Sequence, residues 1–296
     1  MRFNCICQTV PSKWNLIVFI VLVNICLVFS AKANSISQKI VEIEQKLGAQ
    51  VGVSVYEVKN KKLWSHKGDT RFPLTSTFKT LACAKLLADI DNGTQTFDTS
   101  VVINKNSLIT WSPITKKLVG ENFTLEQACS ATMLMSDNTA ANIVLEAING
   151  PKGVTAFMRS IGDDITRLDR VEPELNEALK GDERDTTTPN AMVKSLNTIL
   201  FGSVLSQTAK VQLKQWMIDN KVTASLLRAV LPEGWKIADR SGAGGFGSRA
   251  ITAVVWSDDR TPIIISIYLT QTSASFTERN KAIADIGEEI FKVYSE

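Results

Sequence analysis

Residues 35 to 47 place Ile36, Ile40, Ile43 and Leu47 at helical spacing and stop at Gly48, which predicts an amphipathic first helix. The period then drops to two. "VGVSVYEV" alternates from 51 to 58, Lys59-Asn60 turns, and "KKLWSHK" returns, predicting a hairpin. From about 69 to 218 the pattern is helical with polar loops. Within that block "PLTSTFKTLACAKLLADIDNG", residues 73 to 93, predicts a helix from Thr75 or Ser76 that stops at Asp91-Asn92-Gly93. Phe78, Leu81, Ala82, Cys83, Ala84, Leu86 and Leu87 make it apolar almost all round, the mark of a buried helix. The last third turns extended again in "GWKIADRSG", "RAITAVVWSDD" and "PIIISIYLTQT", and "TERNKAIADIGEEIFKVYSE" closes with an amphipathic helix. An α/β (α+β) architecture satisfies this order: a five-stranded antiparallel sheet with packed helices, formed by both chain ends, plus an inserted all-α domain. The expected boundaries are 34–68 with 219–296 for the sheet domain, and 69–218 for the helical one.

The first 33 residues follow another logic. Arg2 and Lys13 precede "NLIVFIVLVNICLVFS", and "AKA" at 31 to 33 has the small-x-small form of a cleavage site, so 1–33 reads as a secretory signal. The alternative is an uncleaved anchor, but the apolar run from Leu16 to Ala31 is 16 residues with Asn24 inside it, short for a bilayer. Lipid attachment at Cys26 is disfavoured by Asn24 and Ile25 before it. Removing the segment takes away Arg2, Lys13 and Lys32, leaving 33 − 3 = 30 basic side chains against 30 acidic. A neutral mature chain has no field for nucleic acid or a membrane surface, and neither is expected as a partner. The cut also removes Cys5, Cys7 and Cys26. Cys83 and Cys129 remain, and in an exported protein they read as one disulfide, with two buried thiols as the alternative.

Candidate chemistry begins at Ser76 and Lys79. Three residues apart, they share a helix face at the positive end of the dipole. Desolvation there would lower the lysine pKa toward a range where a neutral amine takes a proton from serine. An isolated S-x-x-K is a weak signal, so its company matters. "MSDNTAAN" places Ser136, Asp137 and Asn138 just before a helix, and a Cys83–Cys129 bridge would bring that loop to Ser76. Ser136 could then pass a proton and Asn138 could hold an amide. The polar loop "DRVEPELNEALKGDERDTTTP" carries Glu172 and Asn176, and Arg170 with Asp185 could close its neck. Closed like that, it presents Glu172 inward to deprotonate a water that Asn176 helps place. "ADRSGAGGFGSRA" sets Arg240, Ser241 and Arg249 among glycines, where a carboxylate or backbone can approach. The N–H groups of Ala243 and Ser76 could form an oxyanion hole.

These stretches, "STFK", "SDNTAAN", "EPELN" and "SGAGGFGSR", stand in the order of the class A serine β-lactamases, which the whole chain from Ser35 to the last helix resembles. The resemblance implies roles. Ser76 is the acylated nucleophile, Lys79 a proton acceptor, Ser136 the shuttle, Glu172 the deacylation base and Asn176 its water partner. Asn138, Arg240, Ser241, Gly242, Ala243 and Arg249 would bind substrate, and Trp111 would be the aromatic at the cleft entrance. Glu172 would sit in an active-site loop spanning 167–185. Two departures stand out. The family's usual Lys-Thr-Gly is Arg240-Ser241-Gly242, which resembles the carbenicillin-hydrolysing subgroup, and Val171 precedes the loop glutamate where some relatives have tryptophan.

A planar guanidinium offers two bonds to a carboxylate, so Arg240 is expected to grip one directly. The only histidine, His66, lies in a predicted strand, so neither a multi-histidine metal site nor a Ser-His-Asp triad is expected, and no cofactor is required. The expected protein is a periplasmic monomer that opens and hydrolyses a small β-lactam substrate. A penicillin-binding peptidase or a covalent β-lactam sensor are the alternatives, and neither needs the base that "EPELN" supplies. Whether Lys79 or Glu172 accepts the first proton stays open at this point.

Overall fold

The computed structural model describes residues 35–295, so the expected signal segment and its cysteines lie outside the described residues. A first helix, α1, spans 35–47. The hairpin β1 (Gln50–Glu57) and β2 (Lys62–His66) follows, with the short β3 (Phe72–Pro73) after it. Next come α2 (Phe78–Asp91), β4 (Ser100–Val102), β5 (Asn122–Thr124), α3 (Leu125–Met135), α4 (Asn138–Ala147) and α5 (Gly150–Ser160). The two-residue β6 (Thr186–Thr187), α6 (Pro189–Phe201) and α7 (Gln207–Ile218) complete the helical block. Strands β7 (Lys236–Ala243), β8 (Arg249–Trp256) and β9 (Ile263–Thr270) and helix α8 (Phe276–Ser295) finish the chain.

Both ends of the chain build one antiparallel sheet in the order β2-β1-β9-β8-β7. Its register sorts side chains by face, because a strand has period two. Val51, Val53 and Val55 of β1 and Ile263, Ile265 and Ile267 of β9 pack against Ile36, Ile40 and Ile43 of α1 and Ile283, Ile286 and Ile290 of α8. The alternate positions, Ala238, Ala250, Val254, Ile264 and Tyr268, belong to a second core shared with the helical block. Two polar ties reach across that side: Ser54 Oγ donates to Asn190 Oδ1 at 2.6 Å, and Ser266 Oγ to the Pro189 carbonyl at 3.0 Å.

The helical block surrounds α2, whose Phe78, Leu81, Ala82, Cys83, Leu86 and Leu87 are all buried. Cys83 and Cys129 form a disulfide between α2 and α3. Two features differ from the sequence reading. Ser76 lies in a 3-10 turn, Thr75–Thr77, and α2 itself begins at Phe78, because Thr75 adopts a left-handed backbone (φ 44°) that no α-helix accommodates. The pairs β3–β6 and β4–β5 are small sheets of their own, too short to leave a periodic trace. His66 sits in β2 with Nε2 3.7 Å from Glu44.

Candidate active site

A cleft of about 300 Å³ opens between the edge strand β7 and the helical block, lined by Ser76, Ser136 and Asn138 on one flank and Ser241, Ala243 and Arg249 on the other. β7 approaches the nucleophile turn so closely that a Cβ on Gly242 would lie 2.0 Å from Thr75 Oγ1 and 2.7 Å from the Ser76 nitrogen. Only glycine fits that contact. It places the strand's next residue, Ala243, on the cleft wall beside Ser76, where the two backbone N–H groups can serve one oxyanion.

On the helical flank, Lys79 is wholly buried one helical turn after Ser76. Its Nζ donates to the Ser136 carbonyl (3.0 Å), Ser136 Oγ (3.2 Å) and Asn138 Oδ1 (2.6 Å), and lies 3.0 Å from Glu172 Oε1. Four acceptors therefore compete for at most three ammonium protons, and Glu172 Oε1 is the one without an aligned hydrogen bond. Burial draws the Lys79 ammonium down to about 8, while the Glu172 carboxylate favours the charged form and the Arg240 charge opposes it. Ser136 Oγ donates to Ser76 Oγ at 3.2 Å, which completes a polar chain from Glu172 through Lys79 and Ser136 to the nucleophile.

Local chemistry fixes each member. Ser136 ends α3 in a left-handed conformation (φ 60°), so the chain turns at once into α4. Asp137 caps α4 by accepting from the Ala140 N–H at 2.9 Å. The same buried carboxylate accepts from the N–H groups of Ile114 and Thr115 and from Thr115 Oγ1, all at 2.9 Å. That pins the rim segment bearing Trp111, itself left-handed (φ 66°), with its indole donating to the Met135 carbonyl at 3.0 Å. Strained residues such as Thr75, Trp111 and Ser136 gather where function needs fixed geometry. Trp111 stands 58% exposed at the mouth of the cleft.

Glu172 comes from the long loop, whose neck Arg170 and Asp185 close: Arg170 Nε donates to Asp185 Oδ2 at 2.6 Å, and Asp185 Oδ1 accepts from the Asp169 and Arg170 N–H groups. Asn176 Nδ2 donates to Glu172 Oε2 at 2.5 Å. A residue that sequence reasoning passed over holds the carboxylate's backbone. Asn142 Nδ2 donates to the Glu172 carbonyl (2.8 Å), and Asn142 Oδ1 accepts from its N–H (3.0 Å). Its position four residues after Asn138, on the same face of α4, was the available signal.

The sheet flank departs from expectation at Arg240. The guanidinium does not line the cleft and is fully buried, with Nε donating to the Ser76 carbonyl (3.2 Å) and Nη1 to the Met133 carbonyl (3.1 Å). The close approach at Gly242 encloses the arginine stem behind the nucleophile turn, so its fork braces that turn against α3 instead of gripping a carboxylate in two bonds. Burial lowers its pKa to about 10, and it keeps its charge at neutral pH. Arg249 does face the cleft, held by Asn280 Oδ1 (2.7 Å) and the Gly242 carbonyl (2.8 Å). Asp239, next to Arg240, binds Arg228, Asn220 and Thr223, and that buried network sets the segment carrying Val222 against the cleft. Nothing in the sequence pattern marked it.

Comparison with known proteins agrees with this geometry. The profile of the Beta-lactamase enzyme family matches residues 35–294. The chain is 57% identical over 266 residues to β-lactamase CARB-3 of Pseudomonas aeruginosa, covering 90% of this chain and 92% of that one. It is 51% identical to β-lactamase AER-1 of Aeromonas hydrophila, over 88% of this chain and 86% of that one. Among solved structures, the chromosome-encoded β-lactamase of Vibrio parahaemolyticus superposes with a TM-score of 0.87 at 52% identity, covering 88% of this chain and 99% of that one. An ancestral class A β-lactamase, GNCA, gives 0.85 at 43% identity, covering 88% and 100%. The chain thus belongs to the β-lactamase enzyme family, as a class A serine hydrolase of the cyclic β-lactam amide.

Proposed function

We propose that this enzyme hydrolyses penicillins, carbenicillin among them, through an acyl-Ser76 intermediate and so confers β-lactam resistance. The observation that carries the roles is the continuous buried contact from Glu172 through Lys79 and Ser136 to Ser76. With a pKa near 8, about a tenth of Lys79 is neutral at pH 7. The 3.0 Å contact lets Glu172 take a Lys79 proton and leave the amine free to receive that of Ser76 Oγ. Ser76 Oγ then attacks the lactam carbonyl, whose oxyanion the Ser76 and Ala243 N–H groups stabilise. Lys79 returns the proton through Ser136 Oγ to the ring nitrogen as the amide C–N bond breaks. Glu172 then hands its proton back to Lys79 across the same contact. In the second half-reaction the Glu172 carboxylate takes a proton from a water that Asn176 helps orient, the hydroxide attacks the acyl carbon, and the proton returns through Lys79 to Ser76 Oγ as the ester C–O bond breaks.

Asn138 and Asn176 are suited to hold the substrate's side-chain amide, and Ser241 and Arg249 its ring carboxylate. In this reading residues 1–33 export the enzyme to the periplasm, where it acts as a monomer. No helix among the described residues is long and apolar enough to cross a membrane. Steady-state hydrolysis of benzylpenicillin, carbenicillin and an oxyimino-cephalosporin tests the reading, with fast turnover of the first two and slow turnover of the third expected. A stable penicillin adduct on the wild-type protein without turnover would instead mark a penicillin-binding peptidase. Ser76→Ala should abolish both adduct and turnover.

A further inference from the structure

Beyond Arg249 the cleft carries a feature that the reaction scheme leaves unused. Phe276, the first residue of α8, lines the cleft with 49% of its surface exposed. Two guanidiniums lie against its ring, Arg249 with Cζ 4.8 Å and Arg279 with Cζ 5.5 Å from the centroid. Arg249 bonds only to a side-chain amide and a backbone carbonyl, and Arg279 to the Ser275 and Ser248 carbonyls. No carboxylate of the described residues lies within ion-pair distance of either arginine. The nearest acidic neighbour in sequence, Glu278, is turned to the Ser275 N–H and hydroxyl. Arg249 is depressed to about 10, first by burial and then by the Arg279 and Arg240 charges, so this guanidinium feels both neighbouring cations. A protein interior rarely keeps such a group uncompensated unless an anion arrives from outside.

We infer that Phe276 and Arg279 are specificity-determining residues: an aromatic and cationic outer wall that admits compact apolar or anionic groups beside the substrate's ring carboxylate and rejects cationic ones. The inference rests on the proposed β-lactam hydrolysis and on Arg249 receiving that carboxylate. A substituent on the ring carbon next to the carboxylate then reaches past Arg249, where the Phe276 ring stands. The two methyls of a penicillin fit an aromatic face, and its carboxylate relieves the repulsion between the arginines. A cephalosporin with a pyridiniummethyl group at that carbon brings a third cation to a place with no compensating acid, whereas an acetoxymethyl group brings none.

The purified full-length mature enzyme should be assayed for kcat/KM on benzylpenicillin, an acetoxymethyl cephalosporin and a pyridiniummethyl cephalosporin. Arg279→Gln should raise the pyridiniummethyl to acetoxymethyl ratio about fivefold, the size of one partly screened charge at this range. Arg279→Lys keeps the charge and should keep the wild-type ratio. Phe276→Ala should raise the benzylpenicillin KM about threefold with kcat held, through lost apolar contact. A ratio unmoved in Arg279→Gln, in protein that still turns over benzylpenicillin, would overturn the inference and leave the hydrolase reading intact. Wild-type enzyme that turns over none of the three would sink that reading itself.

Discussion

The two flanks of the cleft handle buried charge in opposite ways. On the helical flank the cation Lys79 meets the carboxylate of Glu172 at 3.0 Å, with both side chains wholly buried. On the sheet flank the cations Arg240 and Arg249 are as deeply buried but bond to backbone carbonyls and an amide. A paired acid and base can exchange a proton between them, so the first flank is suited to chemistry. Permanently charged guanidiniums cannot: Arg240 braces the nucleophile turn, and Arg249, which faces the cleft, suits this flank to recognition. Desolvation acts on both and has different results: it draws lysine to about 8, within reach of neutral pH, and arginine only to about 10.

Removing the carboxylate breaks the helical flank most completely. Glu172→Ala should lower steady-state penicillin turnover about 10³-fold through loss of the deacylation base. The acyl-enzyme should persist, seen as a stable mass increase equal to one penicillin. Fast turnover by this variant would remove Glu172 from the scheme.

On the sheet flank, Arg240→Ala should cost about 2 kcal/mol of transition-state stabilisation, about thirtyfold in kcat/KM. The brace between the Ser76 and Met133 carbonyls disappears with it, so the melting temperature should also fall. Arg240→Lys keeps the charge but can span only one of those carbonyls well. It should recover most penicillin activity while leaving the melting temperature between those of the wild type and the alanine variant. Full activity in the alanine variant would show that bracing the nucleophile turn against α3 plays no part in turnover.

The pH dependence of acylation separates the two candidate acceptors for the Ser76 proton. In the wild type Glu172 can relieve Lys79 of its proton, so the single-turnover acylation rate should stay level from pH 6 to 8. Without Glu172 only the neutral amine works, and the rate should rise about tenfold per pH unit up to the lysine pKa. That break should lie below about 8, because the carboxylate that raised the pKa is gone. A flat profile in Glu172→Ala would show that Lys79 is not the acceptor.

Legibility in the sequence followed the same division. Periodicity located the five main strands and the buried helix, because burial on a regular element imposes a repeat. Motif order brought Ser76, Lys79, Ser136, Glu172 and Asn176 into one list, and their distances in the fold fit it. Side-chain direction left no such trace. The inward turn of Arg240 depends on the close approach at Gly242, and the Asn142 clamp on Glu172 depends on where a loop far along the chain returns. Phe276 belongs to no motif in the sequence, and only the fold sets it beside two arginines.

The smallest expected effect on activity concerns the one covalent tie on the helical flank. Cys83 and Cys129 are 46 residues apart and join α2, which follows the nucleophile turn, to α3, which ends at Ser136. Closing a loop of that length restricts the unfolded chain, and its loss should cost about 2–4 kcal/mol of stability. For a domain of this size that is a fall in melting temperature of about 5–10 °C. The geometry of Ser76, Lys79 and Ser136 does not rest on the bridge alone. Leu81 and Leu86 of α2 and Ala128 and Met133 of α3 lie in one core, Asp137 holds the loop after α3, and Arg240 braces its end. Cys83→Ala with Cys129→Ala should therefore keep kcat/KM for benzylpenicillin within about twofold at 25 °C, with the loss confined to thermal unfolding. A tenfold loss of kcat/KM in folded double mutant would mean that the helical flank, unlike the sheet flank, owes its catalytic geometry to a covalent constraint.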